Sequence, residues 1–285
     1  MWITPHTWQL IDLALSEDLL AGDATTDAIF TDADRTSGEL LAKSPLVLCG
    51  AQIFDAVMHR VDPRIEVRWA ASEGQRVAPG TIMASMSGPT TSILKAERTA
   101  LNFLQRLSGI ATATRCYAEA LEGTGTTIVD TRKTLPGWRA LDKMAVVVGG
   151  GRNHRFNLGS GVMIKDNHIA AAGSITAAVE RVRAQIAHTL KIEVEVTSLA
   201  ELDEAIAAGA DIILLDNMTT AQMAACVDRN KALAVGRPAL LEASGGITLE
   251  RLAELAAAGV DLISSGALTH SVTAADISLN LKAGA

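Results

Sequence analysis

From about Thr126 onward, the chain repeats one pattern of hydrophobic and polar positions. A β-branched, apolar run becomes polar at its end, and an amphipathic stretch rich in Ala, Leu and Glu follows. This pattern indicates a strand followed by a helix. Strands are predicted at 126–134, 161–168, 191–196, 211–217, 239–246 and 261–270. Helices are predicted between them at 174–187, 198–208, 219–227 and 248–258.

Signals at the helix ends support this alternation. Ser198 followed by Glu201 matches a capping box, and Gly209 and Gly259 lie where helix C-caps are expected. Parallel strands joined by helices suit either an open doubly wound sheet or a barrel of the TIM type. The barrel is favoured, because each unit has roughly 20 to 30 residues and no G-x-G-x-x-G follows the first strand.

The first hundred residues have a different pattern. Helices are predicted at 7–19, 52–60 and 92–110, and strands at 38–47, 65–69 and 81–87. The predicted fold class is therefore α/β, with a smaller N-terminal α+β domain at 1–103 and an α/β barrel at 104–272. We expect the C-terminal tail, 273–285, to pack on the N-terminal domain.

Composition narrows the class of protein. A net charge of −7 with only 3% aromatic residues argues against a nucleic-acid-binding surface. Cys49, Cys116 and Cys226 are widely spaced, which favours neither a disulfide framework nor a zinc site and indicates a reducing cytoplasm. We expect no secretory signal and no membrane span, since no run approaches about 18 consecutive apolar residues.

Positive charge is concentrated in one part of the chain. Residues 94–168 carry eleven Lys or Arg and six Asp or Glu, a net charge of +5 in a chain whose net charge is −7. Such a focused positive field predicts a binding site for a small anion.

Four cations of this segment lie beside predicted strand ends or glycines. Arg132 and Lys133 end the first predicted strand, at the face of a barrel where active sites form, although a solvated loop is the alternative. His154 and Arg155 follow glycines 149–151, which allow a ligand to approach the backbone closely. Flexible loops also use such glycines.

Lys165 lies in an apolar run that is predicted to be a strand. A buried cation needs an anion, which is either a substrate or a salt-bridge partner among Glu193, Glu195 and Asp216. These acidic residues lie on predicted strands, and oxygen ligands at barrel strand ends suit Mg²⁺ or stabilise a cationic transition state. Charge pairing with Lys165 and Arg132 is the alternative for them.

Small residues follow the last two predicted strands. They form Ser244-Gly245-Gly246 and Ser265-Gly266-Ala267. In barrels, small residues at this place beside a helix N-terminus bind phosphate. The predicted site therefore combines cations for carboxylates, acids for a metal and a loop for a phosphate.

At these positions the chain resembles the quinolinate phosphoribosyltransferase family nearly from end to end. The motifs are GDATTDAIF (22–30), AERTALNFLQRLSGIATAT (96–114), DTRKTLPGWRALDKMAV (130–146), GGGRNHR (149–155), IKDNHI (164–169), VEV (194–196), ILLDN (213–217), LEASGGI (241–247) and GALTHS (266–271). The resemblance implies an incomplete TIM-like α/β barrel and a homodimer in which the partner's N-terminal domain closes the barrel mouth.

The resemblance also implies an activity. Phosphoribosyl transfer from phosphoribosyl pyrophosphate to quinolinate, with decarboxylation, gives nicotinate mononucleotide, pyrophosphate and CO2 in de novo NAD biosynthesis. Mg²⁺ is implied, and no organic cofactor is. The implied quinolinate ligands are Arg132, His154, Arg155 and Lys165, with Arg98 from the neighbouring subunit.

The remaining implied residues bind phosphoribosyl pyrophosphate. Lys133 is expected to bind the pyrophosphate. Glu195 and Asp216 are expected to bind the ribose hydroxyls and to hold Mg²⁺, directly or through water. Lys133, Glu195 and Asp216 form the implied catalytic set. The 5-phosphate is expected at Ser244, Gly245, Gly246 and Gly266, with His270 beside that loop.

The chain departs from the family pattern at Ser160, where an Asp is common, and at Met144 and Val148. None of these is an implied ligand, so the departures affect fine positioning only. The rival functions are a nicotinate phosphoribosyltransferase, a molybdenum-transport-associated homologue and a non-catalytic binding protein. Four converging cations favour a dicarboxylate substrate over nicotinate.

Overall fold

A computed structural model describes residues 3–233, 236 and 238–282 of the chain. The described chain divides into two compact units. The first contains the chain up to Arg115, Thr134–Gly150 and the chain from Thr269 onward, and the second contains Cys116–Lys133 and Gly151–Leu268.

The chain alternates short strands with helices. In chain order the strands are β1 (Arg35–Ala42), β2 (Leu46–Val47), β3 (Glu66–Trp69), β4 (Arg76–Val77), β5 (Ile82–Pro89), β6 (Thr127–Val129), β7 (Val162–Ile164), β8 (Ile192–Val196), β9 (Ile212–Asp216), β10 (Leu240–Ser244), β11 (Leu262–Ser264) and β12 (Ile277–Leu281). The α-helices are α1 (Pro5–Leu19), α2 (Thr26–Ile29), α3 (Ala51–Val61), α4 (Thr90–Ala120), α5 (Arg139–Val148), α6 (Asp166–Ala172), α7 (Ile175–Arg183), α8 (Leu199–Ala207), α9 (Thr220–Leu233), α10 (Leu252–Ala257) and α11 (Ala267–His270). A 3₁₀ helix at Leu249–Arg251 precedes α10.

The first unit is built on an antiparallel sheet with the strand order β12-β1-β5-β3. On β1, Leu40 and Ala42 are fully buried and Leu41 between them is less so, as expected for a strand with one face on a core. The C-terminal strand β12 pairs with β1, from Gly38 opposite Leu281 to Ala42 opposite Ile277. Residues of the tail thus lie in the sheet of the first unit.

The long helix α4 explains why the first unit extends past residue 103, the predicted boundary. It is one continuous helix of 31 residues, with buried side chains from Thr90 to Thr114. The end of α5 packs closely on it, since a Cβ added at Gly149 would lie 2.6 Å from the backbone oxygen of Ala111. Residues 104–115 and 134–150 therefore belong to the first unit, whereas the sequence placed them in the barrel.

The second unit contains a six-stranded parallel sheet with the order β6-β11-β10-β9-β8-β7. Among the residues that the structure describes, β6 and β7 are not paired with each other, so the sheet does not close. Val194, Ile213 and Ile263 are fully buried in its core. The predicted α/β fold class, with an incomplete barrel and a smaller N-terminal domain, is confirmed.

Three predicted strands were too long. Those predicted at 126–134, 161–168 and 261–270 end at Val129, Ile164 and Ser264. Lys165 is not inside a strand but caps α6, and its main-chain N–H donates to Nδ1 of His168 at 2.9 Å. The polar residues after the strands prefer loops and helix starts, where their side chains bond the backbone.

The predicted helix ends are partly confirmed. The Ser198 hydroxyl accepts a hydrogen bond from the Glu201 N–H at 3.3 Å, but the Glu201 carboxylate bonds the N–H of Thr197 instead of that of Ser198. Only half of the capping box forms. Gly209 and Gly259 follow the ends of α8 and α10 with φ of 78° and 89°, a conformation that glycine adopts easily.

The three cysteines are free thiols, as their spacing predicted. Cys49 and Cys226 are buried and Cys116 is exposed. In the described part of the chain, no helix combines the length and the apolar character that crossing a membrane requires.

Candidate active site

A cavity of about 250 Å³ lies at the carboxyl ends of the strands of the second unit. Because parallel strands end at the same edge of a sheet, motifs far apart in sequence meet there. Eight of the predicted site residues line this cavity, which we call the strand-end pocket: Arg132, Lys133, His154, Arg155, Lys165, Glu195, Asp216 and Ser244.

Cationic side chains crowd one part of the strand-end pocket. The guanidinium of Arg155 donates to the Gly161 carbonyl at 3.2 Å and lies 3.7 Å from the Met163 sulfur. Burial lowers the pKa of Arg155 and the charge of Arg132 lowers it further, while Glu193 raises it. Arg155 remains charged, so the pair of guanidiniums favours a bound anion, and a planar carboxylate fits their geometry.

Glu195 and Asp216 bring negative charge to the same pocket from the ends of β8 and β9. The Lys165 ammonium contacts the Glu195 carboxylate, which confirms the salt-bridge alternative for Lys165. The Lys165 side chain is still 43% exposed, so it can also reach a substrate carboxylate. The Asn217 amide donates to Asp216 at 2.8 Å.

The loop after β10 is tightly packed. Gly245 has a φ of +93°, and a Cβ added there would lie 2.1 Å from the Asn217 side-chain oxygen. Gly246 also has a positive φ, of 57°, and its carbonyl accepts a hydrogen bond from Arg251 at 2.9 Å. The helix predicted at 248–258 begins as a 3₁₀ turn and continues as the short α10. Glycine is therefore required at 245 for steric reasons.

His154 is held at its main chain and at both ring nitrogens. Its N–H donates to the Asp130 carboxylate at 2.8 Å, and the Arg155 N–H donates to Nδ1 at 2.6 Å. Because Nδ1 accepts a hydrogen bond, the proton of the neutral ring is on Nε2. Nε2 lies 3.0 Å from Glu193 and 3.7 Å from Glu242. His154 thus faces buried carboxylates, and its contact with a substrate stays a prediction.

Glu193 and Glu242 are only 2% and 1% exposed. Among the described residues, Oε1 of Glu193 is buried without a hydrogen-bond partner, and both carboxyl oxygens of Glu242 are buried as well. Burial raises the pKa of Glu242 to about 7 and repulsion by Glu193 adds to this, while His154 and the Ser264 hydroxyl lower it. Glu242 therefore keeps a proton to a higher pH than an exposed glutamate does.

Two sets of side chains offer ligand atoms for a metal ion. In the described chain His154, Glu193 and Glu242 place one ligand atom each within 4.8 Å of one another. The proton on Nε2 prevents this nitrogen from coordinating a cation, so this set does not fit. Glu195 and Asp216 offer the oxygen donors that Mg²⁺ prefers, and a magnesium site at these two residues stays a prediction.

Other predicted residues do not line the strand-end pocket. Arg98 lies on α4 in the first unit, where it lines a cavity with Glu17 and Trp138. His270 also belongs to the first unit, and its Nδ1 lies 2.6 Å from the Ser271 hydroxyl. Gly245, Gly246 and Gly266 lie in the loops after β10 and β11.

Glu242 was missed by the sequence analysis, and Glu193 was named only as one of the acidic strand residues that suit Mg²⁺, a cationic transition state or a salt bridge to Lys165. A signal for both was available. Glu242 lies two residues from Leu240 and two from Ser244 on β10. Because side chains two residues apart lie on the same face of a strand, Glu242 shares a face with Ser244, which was predicted to face the site. The register also places Glu242 beside Leu214 and Leu214 beside Glu195.

A parallel α/β sheet whose strand ends gather cations, carboxylates and a tight glycine loop defines an α/β enzyme that acts on anionic substrates. Comparison with known proteins gives the family. The model of the quinolinate phosphoribosyl transferase N-terminal domain matches residues 23–108, and that of the C-terminal domain matches residues 110–280. The chain belongs to the quinolinate phosphoribosyltransferase family.

Relatives match over nearly the whole chain. A probable nicotinate-nucleotide pyrophosphorylase [carboxylating] of Bacillus subtilis is 42% identical over 96% of this chain and 92% of its own length. The nicotinate-nucleotide pyrophosphorylase [carboxylating] of Homo sapiens is 41% identical over 95% and 90%. The crystal structure of NadC from Streptococcus pyogenes is 40% identical, covers 99% of both chains and has a TM-score of 0.93. These matches confirm the resemblance found in the sequence.

Proposed function

We propose that this chain transfers the phosphoribosyl group of phosphoribosyl pyrophosphate to quinolinate with decarboxylation, giving nicotinate mononucleotide, pyrophosphate and CO2 in de novo NAD biosynthesis. The observation that carries this function is the strand-end pocket, which gathers two arginines, two lysines and two strand-end carboxylates in a member of this family. A relative from Nicotiana glauca, 40% identical over 95% of this chain, is named quinolinate phosphoribosyltransferase [decarboxylating] 1.

In this proposal the cationic wall binds quinolinate. Arg132 and Arg155 suit its planar carboxylates, and Lys165 adds a third positive charge by leaving Glu195. His154 is assigned to the same dicarboxylate by family resemblance, and its fixed position beside Arg155 supports a role in shaping this wall.

We assign the binding of phosphoribosyl pyrophosphate to the site residues that do not bind quinolinate. Lys133 would meet its pyrophosphate, and Glu195 and Asp216 would meet the ribose hydroxyls and hold Mg²⁺, directly or through water. The 5-phosphate is assigned to small residues at the end of β10 and in the loops after β10 and β11, and His270 is assigned a supporting role. The small residues are Ser244, Gly245, Gly246 and Gly266.

The residues explain the first chemical step. The quinolinate nitrogen forms a bond to C1 of the ribose while the bond from C1 to pyrophosphate breaks, through a state with oxocarbenium character. Glu195 and Asp216 stabilise positive charge on the ribose, and Lys133 stabilises the departing pyrophosphate. Bound Mg²⁺ supplies charge neutralisation at the pyrophosphate. The ribosylated nitrogen is cationic, which stabilises the C2 carbanion that decarboxylation leaves.

The proposal includes a homodimer in the cytoplasm. Arg98 lies in the first unit and outside the set that lines the strand-end pocket, which is consistent with its delivery from the partner subunit. Three free thiols are consistent with a reducing compartment.

A substrate comparison tests this function. The purified chain is supplied with phosphoribosyl pyrophosphate, Mg²⁺ and either quinolinate or nicotinate, and release of pyrophosphate is measured. We expect turnover with quinolinate and a kcat/KM for nicotinate that is lower by about 100-fold, because nicotinate lacks one of the two carboxylates. Preference for nicotinate, or no turnover with either, would contradict the proposal.

A further inference from the structure

Glu242 is a buried acid that the proposed roles leave unused. It lines the strand-end pocket together with Arg132, Arg155 and Lys165, and both of its carboxyl oxygens are buried. An unpaired carboxylate at this depth is costly, whereas a neutral carboxyl group is much less so. The groups that face Glu242 are Glu193 on β8, Ser264 on β11, and His154 with its fixed Nε2 proton.

The proposed reaction needs a proton, and this inference rests on that reaction. Loss of CO2 leaves an electron pair on C2 of the pyridinium ring, and nicotinate mononucleotide carries a hydrogen there. Arginine is too weak an acid for this task. The Lys165 ammonium contacts Glu195 and is assigned to a substrate carboxylate.

We propose that Glu242 is the proton donor that converts the C2 carbanion into nicotinate mononucleotide. The bond between C2 and the carboxylate carbon breaks first, CO2 departs and the electron pair stays on C2. The O–H bond of Glu242 then breaks as a C2–H bond forms, and the electron pair of the O–H bond stays on Glu242 as a carboxylate. The step needs no other reactant.

The structure provides a route by which Glu242 regains a proton. A second cavity of about 240 Å³ is lined by His154, Glu193 and Glu242, and it reaches Lys191 and Leu262 at the other ends of β8 and β11. Glu242 lines both cavities. Water entering the second cavity can therefore return a proton to Glu242 while product still fills the strand-end pocket.

Glu242→Gln tests this role, because glutamine keeps the shape of glutamate but has no acidic proton. Pyrophosphate release and nicotinate mononucleotide formation are followed separately in a single turnover. We expect pyrophosphate release within about twofold of wild type and nicotinate mononucleotide formation slower by about 100-fold, as for loss of a general acid. Bound quinolinate mononucleotide should accumulate. Glu180→Gln, on the exposed surface of α7, is the matched control and should match wild type in both.

Three outcomes would overturn the role of Glu242. One is nicotinate mononucleotide formation close to wild type in Glu242→Gln, and another is an equal fall in both products, which would make Glu242 a positioning residue. If Glu242→Gln does not fold, Glu242→Asp is used instead, because its shorter acid should slow only nicotinate mononucleotide formation. The third outcome is a Glu242→Asp variant that forms pyrophosphate and nicotinate mononucleotide at equal rates. Wild-type enzyme that releases no pyrophosphate with quinolinate would instead contradict the proposed function.

Discussion

Two ionisable side chains of the strand-end pocket lie near a group of the same charge type. Arg155 is destabilised as a cation by burial and by Arg132, and Glu242 is destabilised as an anion by burial and by Glu193. Side chains selected for stability alone would not be arranged in this way. This arrangement is typical of a site that binds a charged ligand.

Arg132→Ala should abolish quinolinate turnover without unfolding the chain. Arg132 lines the strand-end pocket and is exposed, so its loss removes a charged contact to a carboxylate but no core packing. We expect kcat/KM to fall by about 100-fold or more, since a charged hydrogen-bond pair contributes about 3 kcal/mol. Arg181→Ala, at an exposed position of α7, is the control. Near-normal kcat/KM in Arg132→Ala would contradict the assignment.

Glu242→Gln should change how stability depends on pH. The pKa of Glu242 is about 7 in the folded chain, above its ordinary value of 4.5, so the folded state binds more protons between these values. The stability associated with neutral Glu242 is fully present below about pH 4.5 and is lost as the pH rises through about 7.

Urea unfolding of both proteins at pH 5 and pH 8 measures this effect. Glutamine is neutral at both values, so the variant should gain free energy of unfolding relative to wild type between pH 5 and pH 8. An identical difference at the two pH values would show that Glu242 does not titrate in the folded chain.

The positions of candidate site residues were predictable where a motif lies at the end of a predicted strand. Arg132, Lys165, Glu195 and Asp216 follow or end strands, and the structure places them in one pocket. Glu242 was not predicted, although its spacing of two residues from Ser244 already placed both on one face of β10.

At the scale of elements, the loop after β10 depends on glycine. Gly245→Ala should disrupt it, because the added Cβ would lie 2.1 Å from the Asn217 side chain, in a backbone with φ of +93°. We expect a loss of more than about 2 kcal/mol in the free energy of unfolding and weaker binding of phosphoribosyl pyrophosphate.

Gly125→Ala is the matched control for this loop. Gly125 has a φ of +84°, but nothing lies within 4 Å of an added Cβ. The free energy of unfolding of Gly125→Ala should therefore fall by only about 1 kcal/mol, the cost of the left-handed backbone. Its affinity for phosphoribosyl pyrophosphate should stay unchanged. Equal effects of the two substitutions would show that contact with Asn217 is unimportant.

The strands of the second unit and the helices α7 to α10 were predictable because each carries its own periodic pattern, whereas α6 was not predicted. The six predicted strands are all present, and β8, β9 and β10 match their predicted ranges closely. The ends of β6, β7 and β11 were not predictable, because polar residues that continue a strand look the same in sequence as polar residues that cap the next helix, as Lys165 does.

At the scale of the whole molecule, a shared active site in a dimer can be tested by mixing variants. If Arg98 of the partner subunit completes each site, Arg98→Ala and Arg132→Ala should each be inactive alone. A mixed dimer then contains one intact site, so unfolding and refolding the two variants together should restore about a quarter of wild-type activity. No recovery in mixtures that form mixed dimers would place both arginines of a site in one chain.

Division of the chain into units was only partly predictable. The change from an α+β pattern to strand–helix alternation was visible in the sequence, but α4 continues to Ala120 and carries core residues past the predicted boundary. The pairing of β12 with β1 joins residues more than two hundred positions apart, and no local pattern encodes such a register.

The fate of the C2 carboxylate carbon shows whether phosphoribosyl transfer is coupled to decarboxylation. Quinolinate labelled with ¹³C in its C2 carboxylate is incubated with the chain, phosphoribosyl pyrophosphate and Mg²⁺, and labelled CO2, nicotinate mononucleotide and pyrophosphate are quantified together. We expect equal amounts of all three, and no labelled CO2 when the label is in the C3 carboxylate. Pyrophosphate release without labelled CO2, or consumption of nicotinate in place of quinolinate, would contradict the proposed function.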